Sequence, residues 1–434
     1  MTSSRLAAGA RRFALVALAA PFLASCFGDI VSNETMGTRP DPSGGPQFRS
    51  YVAIGTSLGA GIESGGINDS TQRETYTYVL AVAMGLTPGV NWHYPSFTNP
   101  GCPPPYTNPL TGARVGGATS TGTTCFLRDP NSASRVIGNV SIPGIRAAQV
   151  LNLGDLTYPN TDSLKLAQFI TGSNNPIDMM DRATPTFVTL ETGANDVLGA
   201  ATRGDTLLLT PLASFQASFT SIADRIDATG ADVAVTTVPD VTVIPHFSRG
   251  TVFFCLKTGA CPGIPATPPY SLPSFTVGAS CAPNAAGGVG DNFLTTFSTT
   301  ATITGVLAAG GAAAINCLAG TATVTTAAGT GPAGATISPA EYATIRARVA
   351  ALNTFIAAEA TTRSWALVDL NAALQAALTA GAIPAFPSFS TPGTLFGTLI
   401  SLDGIHPNAA GYKLMAQAFA TAINTEFGTS LSVP

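Results

Sequence analysis

Tyr51-Val-Ala-Ile-Gly-Thr-Ser57-Leu-Gly-Ala-Gly61 is an apolar run that breaks at a glycine and delivers a serine. Four apolar residues before Gly55, followed by small residues with Gly59 and Gly61, predict a buried parallel strand running into a tight turn and a helix. In open α/β sheets ligands collect at the carboxyl ends of the strands, which is where Ser57 would stand. Ser57 is therefore a candidate nucleophile, the competing reading being a serine that merely caps a helix.

Working outward, the same grammar repeats. Strands are expected at Val136–Gly144, Thr186–Glu191, Ala231–Val238 and Trp365–Leu370. Helices are expected over Glu74–Met84 with Tyr78, Val79 and Val82 on one face, from Ala147, and over Pro211–Asp227 through Leu212, Phe215, Phe219, Ile222 and Ile226. Ser338-Pro339-Ala340-Glu341 reads as a capping box opening a helix to about Ala360. Asn408 begins a closing helix with Tyr412, Met415, Phe419 and Ile423 on one face. Strands alternating with helices imply right-handed crossovers and a parallel sheet covered on both faces.

Two stretches interrupt the pattern. Residues 95–135 are rich in Pro, Gly and Thr. Residues 250–336 carry only Lys257 and Asp291 as charges. Both read as insertions; in the second, β-prone runs such as Thr302-Ile303-Thr304 and four cysteines argue for order over a low-complexity coil.

The amino terminus has the form of an export signal. Arg5, Arg11 and Arg12 precede the apolar run Phe13–Leu23, which is too short to span a bilayer as a mature helix. Leu23-Ala24-Ser25-Cys26 resembles a bacterial lipobox, which implies cleavage after residue 25 and lipid attachment at Cys26, against a plain secretory signal that happens to contain a cysteine. Residues 26–47, with Thr38-Arg-Pro-Asp-Pro-Ser-Gly-Gly-Pro46, would form a flexible tether, leaving residues 48–434 as the folded domain.

Removing residues 1–25 takes away three arginines and no acid, so the net charge moves from −4 to −7 and nucleic acid is an unfavourable partner. The other cysteines, Cys102, Cys125, Cys255, Cys261, Cys281 and Cys317, are an even set that suits an oxidising compartment. Proximity favours Cys102 with Cys125, Cys255 with Cys261 and Cys281 with Cys317, although other pairings are open. Their scattered spacing, with no C-x-x-C and no histidine at a ligand interval, disfavours zinc. Neither a metal nor an organic cofactor is implied.

A serine hydroxyl needs a neighbouring base, and imidazole suits that task near neutrality. Of the three histidines, His93 lies between apolar positions as a packed residue would, and His246 follows Pro245 beyond a strand as a possible rim residue. His406 stands in Leu402-Asp-Gly-Ile-His406-Pro-Asn408, where Asp403 can accept the imidazole N–H and fix its tautomer. Asp403 could equally be an ordinary acid near a helix amino terminus. Gly144 and Asn195, each just after a predicted strand, are candidate oxyanion donors beside the Ser57 amide, the ordinary alternatives being a turn glycine and a helix cap.

Taken together, Gly55-Thr-Ser57-Leu, the strand-ending Gly144, Gly193-Ala-Asn195-Asp and Asp403-Gly-Ile-His406-Pro resemble the blocks of the SGNH, or GDSL, hydrolase family, over residues 48–434 with the two insertions interrupting. The resemblance implies an α/β fold: a three-layer α/β/α sandwich with a central parallel sheet of about five strands. It assigns Ser57 as nucleophile and oxyanion donor, Gly144 and Asn195 as the rest of the oxyanion hole, and His406 as the base held by Asp403. One position departs: the aspartate that precedes the family serine is Thr56 here, which removes a negative charge and an acceptor beside the nucleophile.

The expected activity is hydrolysis of carboxylic esters through an acyl-serine. The weakly charged insertions point to lipid or aliphatic esters. The alternatives are a carbohydrate O-acetyl esterase, which only two tryptophans would serve poorly, and a catalytically decayed surface lipoprotein that binds a ligand.

Overall fold

The computed structural model describes residues 41–97, 99–117, 136–153, 166–167, 169–172 and 174–434. The predicted signal peptide, Cys26, the first part of the tether, Cys125 and much of the first insertion lie outside the described residues. The end of the expected tether, residues 41–47, is packed against the domain. Gly44 donates its amide to the Met84 carbonyl at 3.1 Å, Pro46–Phe48 form a 3₁₀ turn, and Phe48 is fully buried with its ring 4.9 Å from that of Phe187. An aromatic ring with a socket on the sheet outweighs the flexibility that Gly and Pro confer on the segment.

The sheet is parallel and four-stranded, in the order Tyr51–Ile54, Phe187–Leu190, Asp232–Thr236, Ala366–Val368 with the second and third strands central. Tyr51 sits opposite Phe187, Phe187 opposite Asp232, and Ala366 opposite Ala234. Side-chain alternation sends Val52, Ile54, Val188, Leu190, Val233 and Val235 into one apolar cluster, and Tyr51, Ala53, Phe187, Ala234 and Val368 into another. Helices Leu212–Asp227 and Pro339–Arg363 add Phe215, Phe219, Ile345 and Leu352 to the first cluster. Helices Tyr76–Ala83 and Ala409–Phe427 add Tyr76, Leu80, Tyr412 and Phe419 to the second. Burial on both faces explains why these strands read as continuous apolar runs.

The expected fifth strand at Val136–Gly144 is reduced to one parallel bridge, Ala53 with Asn139. Ala53 donates to the Gly138 carbonyl at 2.7 Å and receives the Val140 amide at 2.9 Å, and Ile142 donates to the Gly55 carbonyl at 3.0 Å before the chain turns at Pro143 and Gly144. The first helix also differs. The helix expected over Glu74–Met84 is Tyr76–Ala83, capped by Thr75 and preceded by a separate helix Asp69–Glu74, and its buried face is Tyr76, Thr77, Leu80 and Ala81, while Val82 points outward. The capping box at Ser338 and Glu341 is present, with the Ser338 amide donating to Glu341 Oε2 at 2.8 Å, and the helix extends to Arg363.

Residues 250–336 are ordered. A three-stranded sheet of Phe247–Arg249, Leu294–Thr296 and Thr336–Ile337 closes the base of the insertion. Beyond it, a second sheet of Phe275–Val277, Ala312–Asn316, Thr321–Thr326 and Gly329–Pro332 packs around Phe253, Phe275, Phe293, Ile303 and Leu307. Thr302-Ile303-Thr304 is helical, within Phe297–Ala308, because Ile303 and Leu307 then reach the insertion's core; the hydroxyls of Thr302 and Thr304 turn back to the carbonyls four residues earlier. Disulfides join Cys255 to Cys261 and Cys281 to Cys317. The first insertion contributes a short hairpin, Tyr106–Asn108 with Ala113–Arg114. Among the described residues no helix is long and apolar enough to cross a membrane.

Candidate active site

Ser57 is the first residue of the one-turn helix Ser57–Ala60, directly past the carboxyl end of the first strand. Gly61, in the left-handed region at φ 91°, ends that helix and turns the chain back; a Cβ there would also meet the Gln72 backbone at 2.9 Å. The sequence that breaks the strand is thus what lifts the serine hydroxyl out of the sheet.

The partner residues arrive from the other end of the chain. His406 Nε2 is 2.8 Å from Ser57 Oγ, and His406 Nδ1 is 2.7 Å from Asp403 Oδ2. An ionised carboxylate only accepts, so Nδ1 carries the proton and Nε2 presents its lone pair to the serine hydroxyl. Asp403 is fixed in turn. Its Oδ1 accepts the amides of Ile405 and His406 at 2.8 and 2.9 Å and the Ser401 hydroxyl at 3.1 Å; its Oδ2 also accepts the Gly65 amide at 2.8 Å. Burial alone would raise its pKa, but the charge His406 takes on when protonated, its ring N–H and the amides of His406 and Ile405 outweigh it and hold the carboxyl well below the usual range.

The turn geometry comes from Gly404 at φ 73°, where a Cβ would press on the Phe396 ring at 2.9 Å and on the His246 backbone. Loop 62–66 clamps the two ends together. Ser64 donates its amide to Ser401 Oγ at 2.8 Å, its own hydroxyl accepts the Leu402 amide, and Tyr412 donates to the Ile62 carbonyl at 2.6 Å.

Gly144, at φ 80°, sits on a loop pinned on both sides. Ile142 donates to the Gly55 carbonyl at 3.0 Å, and Asn195 Nδ2 donates to the Ile145 carbonyl at 2.9 Å, which ties Gly144 and Asn195 to each other and to the serine turn. Asn195 opens the helix Asn195–Arg203, and the next residue, Asp196, accepts the Ala147 amide at 3.1 Å. Burial pushes the Asp196 carboxyl up to about 6, against the opposing pull of Thr210, the Ala147 amide and Arg146.

The other histidines are placed differently. His246 lies behind the relay, its Nδ1 donating to the Asp403 carbonyl at 3.2 Å, and burial lowers its pKa against the opposing pull of Asp403. His93 lends its carbonyl to the amides of Gly138 and Asn139 at the sheet edge.

Two acids escaped the reading of the sequence. Glu191, buried at 2% exposure, accepts the Thr56 amide at 2.8 Å and the Thr56 hydroxyl at 2.9 Å. Burial raises its pKa while the donors from Thr56 and Gly59, together with the His406 charge, oppose that rise. The available signal was a charge ending the apolar run Thr186–Leu190, where burial is costly unless donors wait for it. Glu63, in the clamping loop, is pushed up to about 8 by burial, then by the charge and hydrogen bond of Glu74, with the Asp403 charge adding to both.

Chemically, the arrangement can move a proton from Ser57 Oγ to His406 and hold the resulting imidazolium against Asp403. Among the described residues no group of three or more His, Cys, Asp or Glu is placed to hold a metal ion. No protein-family profile matches the chain, and no characterised protein matches it significantly.

Proposed function

We propose that the protein is a serine ester hydrolase of the SGNH, or GDSL, type, with the three-layer α/β/α arrangement of that family. The observation that carries this reading is the unbroken relay from Ser57 Oγ through His406 to Asp403, at 2.8 and 2.7 Å. A hydroxyl, an oriented imidazole and a buried carboxylate at hydrogen-bond distance are what nucleophilic acyl transfer requires.

In the proposed reaction Ser57 Oγ attacks the ester carbonyl carbon while its proton passes to His406 Nε2. The negative oxygen of the tetrahedral intermediate is received by the amides of Ser57 and Gly144 and by the second N–H of Asn195 Nδ2, the first being held by Ile145. The intermediate collapses, His406 protonates the departing alcohol, and an acyl-serine remains. Water, deprotonated by the same imidazole, then attacks the acyl carbon, releasing the acid and restoring Ser57.

The weakly charged insertions at residues 95–135 and 250–336 favour an aliphatic or lipid acyl ester over an O-acetylated sugar. The protein is proposed to act after export, anchored through a lipid at Cys26.

Hydrolysis of p-nitrophenyl esters of increasing chain length tests the proposal. The reading predicts turnover that is abolished in Ser57→Ala and in His406→Ala, with longer acyl chains preferred over acetyl. Wild type no faster than both variants on every ester would replace it with the ligand-binding reading.

A further inference from the structure

The turn that presents Ser57 is built over a buried carboxylate that does not come from the turn itself. Glu191 reaches it from the end of the neighbouring strand. The Thr56 amide donates to Oε2 at 2.8 Å, the Thr56 hydroxyl lies 2.9 Å from both oxygens, and the Gly59 amide adds a further donor. Thr56 and Glu191 are 1% and 2% exposed, so the contact is closed to bulk solvent. The turn's glycines fit around it: a Cβ on Gly55 would sit 3.1 Å from Glu191 Oε2, and one on Gly59 only 2.3 Å from Ser141 Oγ. The Thr56 and Gly59 amides donate to the carboxylate and so offset part of the rise in pKa that its burial produces.

We propose that Glu191 is the positioning residue of the nucleophile turn, supplying from the adjacent strand the carboxylate that position 56 lacks. The proposal rests on the reading of Ser57 as nucleophile. The Ser57 amide lies in the peptide unit that follows the Thr56 Cα, so holding the Thr56 amide and hydroxyl restrains the residue from which the Ser57 N–H and Oγ project. On this account a carboxylate is needed at 56 or at 191, and threonine at 56 is the residue that lets one at 191 close the gap.

The test is relocation of the charge, with kcat and KM measured for a p-nitrophenyl ester in wild type, Glu191→Gln, Thr56→Asp and the double variant Thr56→Asp/Glu191→Gln. Glu191→Gln keeps the shape and one acceptor; it is expected to lower kcat about 10- to 100-fold with KM little changed, the size of effect that misplacing a reacting group produces. Thr56→Asp alone sets two carboxylates together and should be impaired at neutral pH, since like charges in a buried contact repel. In the double variant the amide introduced at position 191 donates to the carboxylate introduced at position 56, and most of the wild-type kcat should return.

A residue that is only a buried peg would leave kcat of Glu191→Gln near wild type, or leave the double variant no better than the worse single one; either result overturns the proposal. Should Glu191→Gln fail to fold, the double variant decides. The amide proton shifts of residues 56 and 59 provide a readout that needs no turnover, since loss of the carboxylate moves both upfield and an unchanged pair refutes the contact. Wild type that cleaves no ester counts against the hydrolase reading, and the amide shifts then decide the positioning claim by themselves.

Discussion

Asp403→Asn is the substitution that probes the relay most selectively, because it preserves volume and removes one charge. Asp403 Oδ1 receives the amides of Ile405 and His406 and the Ser401 hydroxyl, and an amide oxygen can keep all three. The NH₂ group then falls where Oδ2 stood, facing the Gly65 amide and His406 Nδ1, at 2.8 and 2.7 Å. Two donors cannot share that gap, so the imidazole shifts its proton to Nε2 and loses the lone pair that takes the Ser57 proton.

By analogy with the same exchange in serine proteases, kcat is expected to fall about 10⁴-fold. The unmet Gly65 amide should destabilise the fold by about 1–3 kcal/mol. The pH dependence has a definite sign. Asp403 is held below its unfolded value, so its contribution is present above about pH 3.9 and is lost as the pH falls; the variant should therefore lose less stability on acidification than wild type. Steady-state hydrolysis and urea unfolding at several pH values measure both effects. A folded variant whose kcat stays within about tenfold of wild type would refute the tautomer argument.

Other expectations follow from the same geometry. Asn195→Ala removes one proposed oxyanion donor and the tie to Ile145, so kcat should fall about 10²- to 10³-fold with little change in KM; an unchanged kcat would take Asn195 out of the oxyanion hole. Glu63, raised to about 8 in the fold, stabilises its protonated form, so stability should decline as the pH rises from about 4.3 to 8, by at most about 1.4 kcal/mol per unit. Glu63→Gln should flatten that decline, and a variant with the wild-type slope would assign it elsewhere. Replacing Cys281 and Cys317 by serine opens a link of 36 residues and should lower the stability of the insertion by about 4 kcal/mol on chain entropy. Unaltered melting of that variant would show that the core around Phe253 and Phe293 suffices.

Much of the fold is legible because local signals agree with it. The runs at Tyr51, Phe187 and Asp232 are apolar on both faces, the condition of a strand inside a covered parallel sheet, and Ser338 with Glu341 announces a helix by chemistry confined to four residues. The sequence misled where the outcome depended on a distant neighbour. Val136–Gly144 has a strand's composition, yet it forms a single bridge to the first strand, at Asn139, and one further bond from Ile142 to the Gly55 carbonyl before the chain turns. The Thr302 region has β propensity, yet its apolar residues point at a core that only the folded insertion supplies.

The candidate site shows the same division. Ser57, Asp403 and His406 lie in short motifs whose spacing can be read directly. Glu191 and Glu63 act across 135 residues and through a clamping loop, respectively, and nothing local marks them as neighbours of the serine turn. Thr56, alone, reads as a lost carboxylate; beside Glu191 it reads as a hydroxyl donor to a retained one.

The central claim is that Ser57 is an activated nucleophile, and stoichiometric labelling tests it without any assumption about substrate. The full chain is incubated with a fluorophosphonate and the modified peptide is located by mass spectrometry. The account predicts one adduct, on Ser57, lost in Ser57→Ala and formed far more slowly in His406→Ala. A wild-type protein that takes up no label, or takes it up on another residue while Ser57 stays free, would contradict it.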